Sequence, residues 1–226
     1  MSTFVWDQPV GYEVGVGICH REVTTIEWAL AFRQLQLPSH IFILSSHFPI
    51  DLSRNSLANT ILQHNCKWIF MLDTEVCPPP DAVMRLLSRN MPIVSGLYWM
   101  KQPPYAPVAM RRVPQPQPDG SVKMALSPVA GWVPGELLEV DVVGMGCCLI
   151  HSRVLRAFQE KGMPYFRWTF AKPDKPPDVE GMSEDFNFCT DAKKLGFNTY
   201  LDTGVVCGHQ GIGVVREGAL KISDIP

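Results

Sequence analysis

The chain has 226 residues, of which 46% are hydrophobic and 19% charged, and its formal net charge is −2 at pH 7. This length suits one large α/β domain with a buried core and is short for two complete domains. A net charge so close to zero predicts no general nucleic-acid-binding surface and no general attraction to anionic lipid.

The termini and the cysteines indicate a cytoplasmic protein. The first ten residues, MSTFVWDQPV, contain neither the basic region nor the long apolar stretch of a signal peptide. No apolar run approaches the roughly 20 residues of a membrane-spanning helix. The seven cysteines are odd in number and scattered, which favours reduced thiols over a disulfide framework. Cys189 and Cys207-Gly-His209 leave a zinc site as an alternative, although no CxxC pair accompanies them.

Strand-like and helix-like segments alternate through the first half of the chain. Their apolar spacing predicts strands at 13–19, 40–44, 68–72 and 92–98, and helices at 24–37, 52–64 and 81–87. This order is typical of a mostly parallel sheet with helices on both faces. In such sheets ligands bind at the carboxyl ends of the strands.

The second half contains two turn-rich segments. Residues 102–118 hold much of the proline and predict a long loop or an edge excursion that could act as a lid, and residues 172–177 predict a second loop. Around them we expect strands at 137–143, 147–150, 198–201 and 205–207, and helices at 152–161 and 183–195. Without repeats or a clear linker, the chain is predicted to be one domain over 1–226, with variable loops at about 100–135 and 165–182.

Asp73-Thr74-Glu75 places two carboxylates at the end of the predicted buried strand 68–72. In an extended segment residues i and i+2 point to one side, and two hard oxygen ligands suit Mg²⁺ or Mn²⁺. About one D-x-acid match is expected by chance, and a second occurs in a loop at Asp178-Val179-Glu180. Only the first follows a core strand, so it is the candidate metal site. The alternative is a solvated strand-end acid or a helix cap.

Three other positions could carry chemistry. Ser183-Glu184-Asp185 opens a predicted helix, where it could be a plain N-terminal cap or could supply a carboxylate that takes a proton from a hydroxyl. His209 follows the strand at 205–207 and could be structural or a metal ligand. Arg54 begins a helix and could contact a phosphate or simply be solvated.

These residues lie within six segments that occur in order along the chain. They are SRN (53–55), KWIFMLDTEVCPPPDA (67–82), PIVSGLYW (92–99), EVDVVGMGCCLIHSRVL (139–155), SEDFNFC (183–189) and GFNTYLDTGVVCGHQG (196–211). Together they resemble glycosyltransferases of the GT-A fold, family 2-like, over residues 13–211. The resemblance implies a Rossmann-like mixed sheet and a metal-dependent transfer of a sugar, a hexose above all, from a nucleotide-diphosphate donor to an acceptor hydroxyl.

The resemblance also implies roles for individual residues. Asp73 and Glu75 match the DxD motif, whose carboxylates hold Mn²⁺ or Mg²⁺ on the donor diphosphate, and His209 matches a late histidine that often completes the metal site. Glu184 and Asp185 match the ED pair, in which the Asp is usually the base of inverting members. Glu75 departs from the motif by one methylene, so its metal contact could pass through water.

Near the donor nucleotide, the resemblance places Arg54 and the end of the first strand, from Gly17 to Arg21, which includes Cys19. Asp73 is expected to contact the donor through the metal. These positions complete the predicted binding set for the nucleotide-diphosphate sugar.

Two rival functions remain open. A sugar-phosphate nucleotidyltransferase has a related core, but it should show a glycine-rich, basic phosphate loop after the first strand, of which Gly15-Val16-Gly17 followed by Arg21 is a poor version. A catalytically silent binding protein on the same fold is the second rival. The joint presence of Asp73, Asp185 and His209 argues against it.

Overall fold

A computed structural model describes residues 11–20, 23–46, 49–169, 182–211 and 214–215. The helices are α1 (Ile26–Gln34), α2 (Ile50–Gln63), α3 (Ala82–Arg89), α4 (Ser152–Glu160) and α5 (Glu184–Lys194). The strands are β1 (Val14–Cys19), β2 (His40–Ser45), β3 (Trp68–Asp73), β4 (Val76–Cys77), β5 (Ile93–Leu97), β6 (Ala109–Pro116), β7 (Val122–Pro128), β8 (Leu137–Val140), β9 (Val142–Val143), β10 (Cys147–His151), β11 (Thr199–Val206), β12 (Gly208–Gln210) and β13 (Val214–Val215).

Seven strands form the central sheet, in the order β2-β1-β3-β10-β5-β11-β8. β1 runs parallel to β2 and β3, and β5 runs parallel to β11. β10 is antiparallel to both β3 and β5, so these two share a direction, and β8 is antiparallel to β11. The expected mostly parallel α/β sheet is therefore confirmed. The sequence does not reveal that β10 would separate β3 from β5.

Strand β3 lies at the centre of the core and is buried on both faces. Ile69 and Met71 belong to a hydrophobic cluster with residues of α2, α4 and α5, whereas Phe70 and Leu72 belong to a second cluster with residues of α1 and α3. Successive side chains of a strand point to opposite faces. A strand covered on both faces must therefore be apolar at every position, which explains the continuous run WIFML.

Residues 109–116 of the proline-rich segment 102–118 form β6, the first strand of a β-hairpin with β7, so the prediction of a long loop is wrong for these residues. β6 pairs antiparallel with β7 along its whole length, and with β9 only at Ala109 and Met110. The Gln117 N–H donates to the Ser121 carbonyl, so Gln117 points its N–H towards β7. Along an antiparallel strand this direction alternates from residue to residue, so an N–H at Pro114 or Pro116 would point away from β7. No described strand lies on that side of them, and proline costs no ladder hydrogen bond at such an edge. The alternative expectation of an edge excursion fits this hairpin.

A small sheet, β13-β12-β4, lies beside the carboxyl end of β3. In it His209 is registered opposite Val76, and the Gln210 N–H donates to the Glu75 carbonyl at 2.8 Å. This pairing brings His209 next to Glu75, although 134 residues separate them in the chain.

Helix α5 has the start and the stop that the sequence predicts, whereas the predicted strands 198–201 and 205–207 form one strand, β11. Helix α5 begins after Ser183 and is followed by Gly196 at φ +89°, which is the left-handed stop that glycine provides. Among the described residues, no helix is both long enough and apolar enough to cross a membrane. The predicted loop 172–177 lies outside the described residues.

Candidate active site

A cavity of about 600 Å³ opens at the carboxyl ends of β1 and β3. Asp73, Glu75 and Cys19 line it together with Lys101 and Gln210. This is the edge of the sheet where the sequence predicts ligand binding, and three of the predicted site residues lie in one cavity wall. Arg21, also predicted to be near the nucleotide, lies outside the described residues.

The backbone of Asp73 is fixed on two sides. The Asp73 N–H donates to the Gly146 carbonyl at 3.1 Å. The Asp73 carbonyl accepts from the indole N–H of Trp28 at 3.0 Å. Its side chain is 18% exposed, with Oδ2 accepting from Arg54 Nη2 at 3.1 Å. Oδ1 is buried and has no hydrogen-bond partner among the described residues. A buried carboxylate oxygen in this condition is free to accept from a water molecule or to bind a cation.

Arg54 joins two carboxylates that come from distant parts of the chain. It lies in α2, is 2% exposed, and donates to Asp73 Oδ2 and to Glu184 Oε1, both at 3.1 Å. Burial lowers the pKa of Arg54, but Asp73 and the other nearby acids raise it by more. The pKa is therefore raised overall, and the guanidinium is charged. The predicted contact of Arg54 with the nucleotide stays a prediction. The structure shows it as the buried link between Asp73 and Glu184.

Glu184 and Asp185, adjacent in sequence, have different surroundings. Glu184 is 4% exposed and bound to Arg54. Burial, and then the Asp185 carboxylate, raise the pKa of Glu184 to about 6 although Arg54 lowers it. Asp185 is partly exposed, and its Oδ1 accepts hydrogen bonds from the Ser183 hydroxyl and from the Phe186 N–H. Asp185 is therefore the more accessible of the two carboxylates.

Glu75 faces two positively charged or chargeable groups. Lys101 Nζ lies 2.6 Å from Oε2, and His209 Nε2 lies 3.4 Å from Oε1. The imidazole first and then Lys101 lower the pKa of Glu75 to about 2, against the effect of its burial. The carboxylate is therefore ionised, and it cannot donate a proton to His209.

The hydrogen bonding of His209 suits a metal ligand. Its Nδ1 lies 2.6 Å from the carbonyl oxygen of Trp99, which can only accept, so Nδ1 carries the hydrogen. Nε2 faces the Glu75 carboxylate, to which it donates a hydrogen bond when it carries a hydrogen, and it offers a lone pair when that hydrogen is replaced by a metal. A metal-binding histidine typically donates its other N–H to a carbonyl in this way.

Three side chains of the site, Asp73, Glu75 and His209, carry atoms that could bind a divalent metal. Asp73 offers an unpartnered buried oxygen, while Glu75 Oε1 and His209 Nε2 lie 3.4 Å apart. These donors fit Mn²⁺ or Mg²⁺. Within the described residues, however, no three His, Cys, Asp or Glu side chains are already gathered as a metal-binding group. Arg54 and Lys101 hold the other oxygens of the two acids.

Cys19 lines the cavity, but its chemistry is limited. Its side chain is buried at the end of β1, and burial raises the pKa of the thiol to about 12 against the opposing effect of Arg54. A protonated thiol is a poor nucleophile and a poor metal ligand. Cys19 can contribute shape and a weak hydrogen bond.

Sequence reasoning missed Lys101, Trp28 and Tyr98. Lys101 had no motif around it, and Trp28 looks like any apolar residue of an amphipathic helix. Tyr98 is 5% exposed, and its hydroxyl accepts from the Gly146 N–H at 3.0 Å. Because the Gly146 carbonyl in turn accepts from Asp73, Tyr98 supports the position of the candidate metal ligand.

Gly144→Ala should destabilise the protein by about 1–3 kcal/mol, because an added Cβ would collide with the Tyr98 hydroxyl and lie 2.8 Å from Val108 Cγ1. Urea denaturation of the variant measures the change. Combining it with Tyr98→Phe removes the closest colliding atom, so the double variant should lose less than the sum of the two single losses. Additive losses would show that the Tyr98 hydroxyl is not the obstacle.

A mostly parallel, Rossmann-like sheet with an acidic site after a central strand is consistent with the GT-A fold. The solved structure of A197 from STIV is similar at TM-score 0.54, with 14% identity, covering 88% of this chain and 86% of that one. GalNAc-T7, solved with UDP, GalNAc and Mn²⁺, is similar at TM-score 0.50, with 11% identity. The alignment covers 88% of this chain but only 44% of GalNAc-T7. No protein-family model matches the sequence, and no curated protein matches it.

Proposed function

We propose that this protein is a metal-dependent glycosyltransferase that moves a sugar, a hexose above all, from a nucleotide-diphosphate donor to an acceptor hydroxyl. The observation that carries the proposal is the unpartnered buried oxygen of Asp73 at the carboxyl end of β3, in one cavity with Glu75. The fold shared with GalNAc-T7, which was solved with UDP, GalNAc and Mn²⁺, supports it.

The roles of the residues follow from their surroundings. Asp73 Oδ1, Glu75 Oε1 and His209 Nε2 would hold Mn²⁺ or Mg²⁺, which supplies Lewis-acid stabilisation of the charge that develops on the leaving diphosphate. Arg54 fixes Asp73 and Glu184 relative to each other. Asp185, the more accessible acid of the ED pair, takes the proton of the attacking hydroxyl.

The cavity is large enough for part of a nucleotide sugar. Its volume of about 600 Å³ lies within the range of small-molecule sites. We further propose that the chain acts as one domain in the cytoplasm, in accord with its cysteine usage; the described residues contain no disulfide bond.

Nucleoside-diphosphate binding should require Mn²⁺ or Mg²⁺ and should weaken at least 10-fold in Asp73→Ala, since removal of one charged ligand typically costs that much or more. Isothermal titration with UDP, GDP, ADP and CDP, with metal and with chelator, measures it. Asp178→Ala is the matched control because it alters the second D-x-E of the sequence, and its affinity should equal that of the wild type.

Equal affinity in chelator and in Mn²⁺ would contradict the metal assignment. Metal-dependent nucleotide binding without any transfer from nucleotide sugars would favour the silent binding protein. Release of pyrophosphate from a nucleoside triphosphate and a sugar phosphate would instead identify a nucleotidyltransferase.

A further inference from the structure

Lys101 is a cation in the candidate site that the proposed function leaves without a role. It follows β5, lines the same cavity as Asp73, and places Nζ 2.6 Å from Glu75 Oε2. Its side chain is 30% exposed, so the ammonium reaches both the cavity and solvent. Among the described residues that line this cavity, Lys101 is the one Lys or Arg.

The ion pair of Lys101 with Glu75 is easily exchanged. The Glu75 side chain is 48% exposed, and ion pairs this accessible to water are weak. A divalent cation between Glu75 Oε1 and His209 Nε2 would place two positive charges close to the ammonium. The repulsion would exceed the weak attraction that holds Lys101, so Lys101 and the cation compete for the same carboxylate.

A displaced Lys101 would remain inside the cavity. Its stem has four rotatable bonds and lies beside Gly211, where an added Cβ would sit 3.4 Å from Lys101 Cδ. A diphosphate brings several negative charges to a wall that already carries Asp73 and Glu75. An ammonium with three rotatable donors is well suited to bind phosphate oxygens there.

We infer that Lys101 competes with the divalent cation for Glu75 and becomes a phosphate-binding residue of the donor site once the cation holds that carboxylate. The inference rests on the proposed function. It makes two predictions of opposite sign for one substitution, because Lys101 opposes the metal and assists the diphosphate.

Lys101→Met should tighten the binding of Mn²⁺ alone by about 3–10-fold, since the competitor for Glu75 is gone. In saturating Mn²⁺, the same variant should bind UDP, or whichever diphosphate the wild type prefers, about 10-fold more weakly, because a charge-assisted hydrogen bond to phosphate is lost. Inorganic pyrophosphate should show the same loss, since the contact does not involve the base. Titration calorimetry measures all three affinities.

Two variants make the experiment specific. Lys101→Arg keeps the charge and should retain diphosphate affinity within about 3-fold. Lys161→Met removes a lysine that is exposed at the end of α4 and should change neither affinity. The melting temperature of each variant reports whether the fold is intact.

The results separate failure of the inference from failure of the proposed function. If the wild type binds diphosphate with Mn²⁺ and Lys101→Met changes both affinities in the same direction, or neither, Lys101 does not exchange partners and the inference is wrong. If the wild type binds no nucleoside diphosphate with Mn²⁺, the proposed function itself is wrong, and the phosphate-binding role falls with it.

Discussion

Replacing Arg54 with Met should lower the free energy of unfolding by about 3–5 kcal/mol, the usual cost of breaking a buried ion pair from one side. Arg54 is 2% exposed and holds Asp73 and Glu184, so its removal leaves two carboxylates close together without a counter-charge. Donor binding should fall as well, because Asp73 would lose the contact that fixes its orientation.

Urea denaturation at pH 7 measures the loss. Arg85→Met is the matched control, because Arg85 is 40% exposed and lies 3.8 Å from Asp81; the loss of such a surface pair should change stability by less than about 1 kcal/mol. Adding Glu184→Gln to Arg54→Met removes one of the two stranded charges, so the double variant should be less unstable than the two single losses predict. A loss for Arg54→Met no larger than that of the control would mean that water replaces the guanidinium.

The sequence could predict those parts of the fold that depend on local pattern. Strand β3 is apolar at every position because both its faces are covered, and helix α5 has its stop at Gly196. The prolines of 102–118 do not decide between a loop and an edge strand, because proline is tolerated in a strand wherever its N–H would have no partner. Strand β9 pairs with the other side of β6 only as far as Met110, so Pro114 and Pro116 lie beyond it and need no N–H there.

In the candidate site, too, some residues could be predicted from the sequence and others could not. Asp73 could be singled out because it ends a buried strand, and the pairing of β12 with β4 brings His209 to Glu75. The partners of these acids could not be predicted. Arg54 meets Glu184 across 130 residues, and Lys101 meets Glu75 only because of where the chain turns after β5. Such contacts depend on tertiary packing rather than on any local spacing.

Asp185→Asn should leave stability and donor affinity near those of the wild type while it lowers the rate of transfer by about 10²–10⁴-fold. Both hydrogen bonds that the described structure gives the side chain go to Oδ1, from the Ser183 hydroxyl and the Phe186 N–H. Asn can keep these contacts through its carbonyl oxygen, so the hydrogen bonds of the first turn of α5 are retained. What it loses is the ionised oxygen that would take the proton from the acceptor.

Ser183→Ala separates the local hydrogen bonding of Asp185 from proton transfer, because it removes a hydrogen bond from Oδ1 and keeps the carboxylate. A purely structural Asp185 predicts comparable, small losses of activity in both variants, whereas a general base predicts a large loss in Asp185→Asn alone. Melting temperature, diphosphate affinity and turnover should be measured on the same preparations. Turnover of Asp185→Asn within a few-fold of the wild type would exclude it as the base. Glu184 is a poor replacement, since it is 4% exposed and bound to Arg54, so that result would instead favour a retaining mechanism without a protein base.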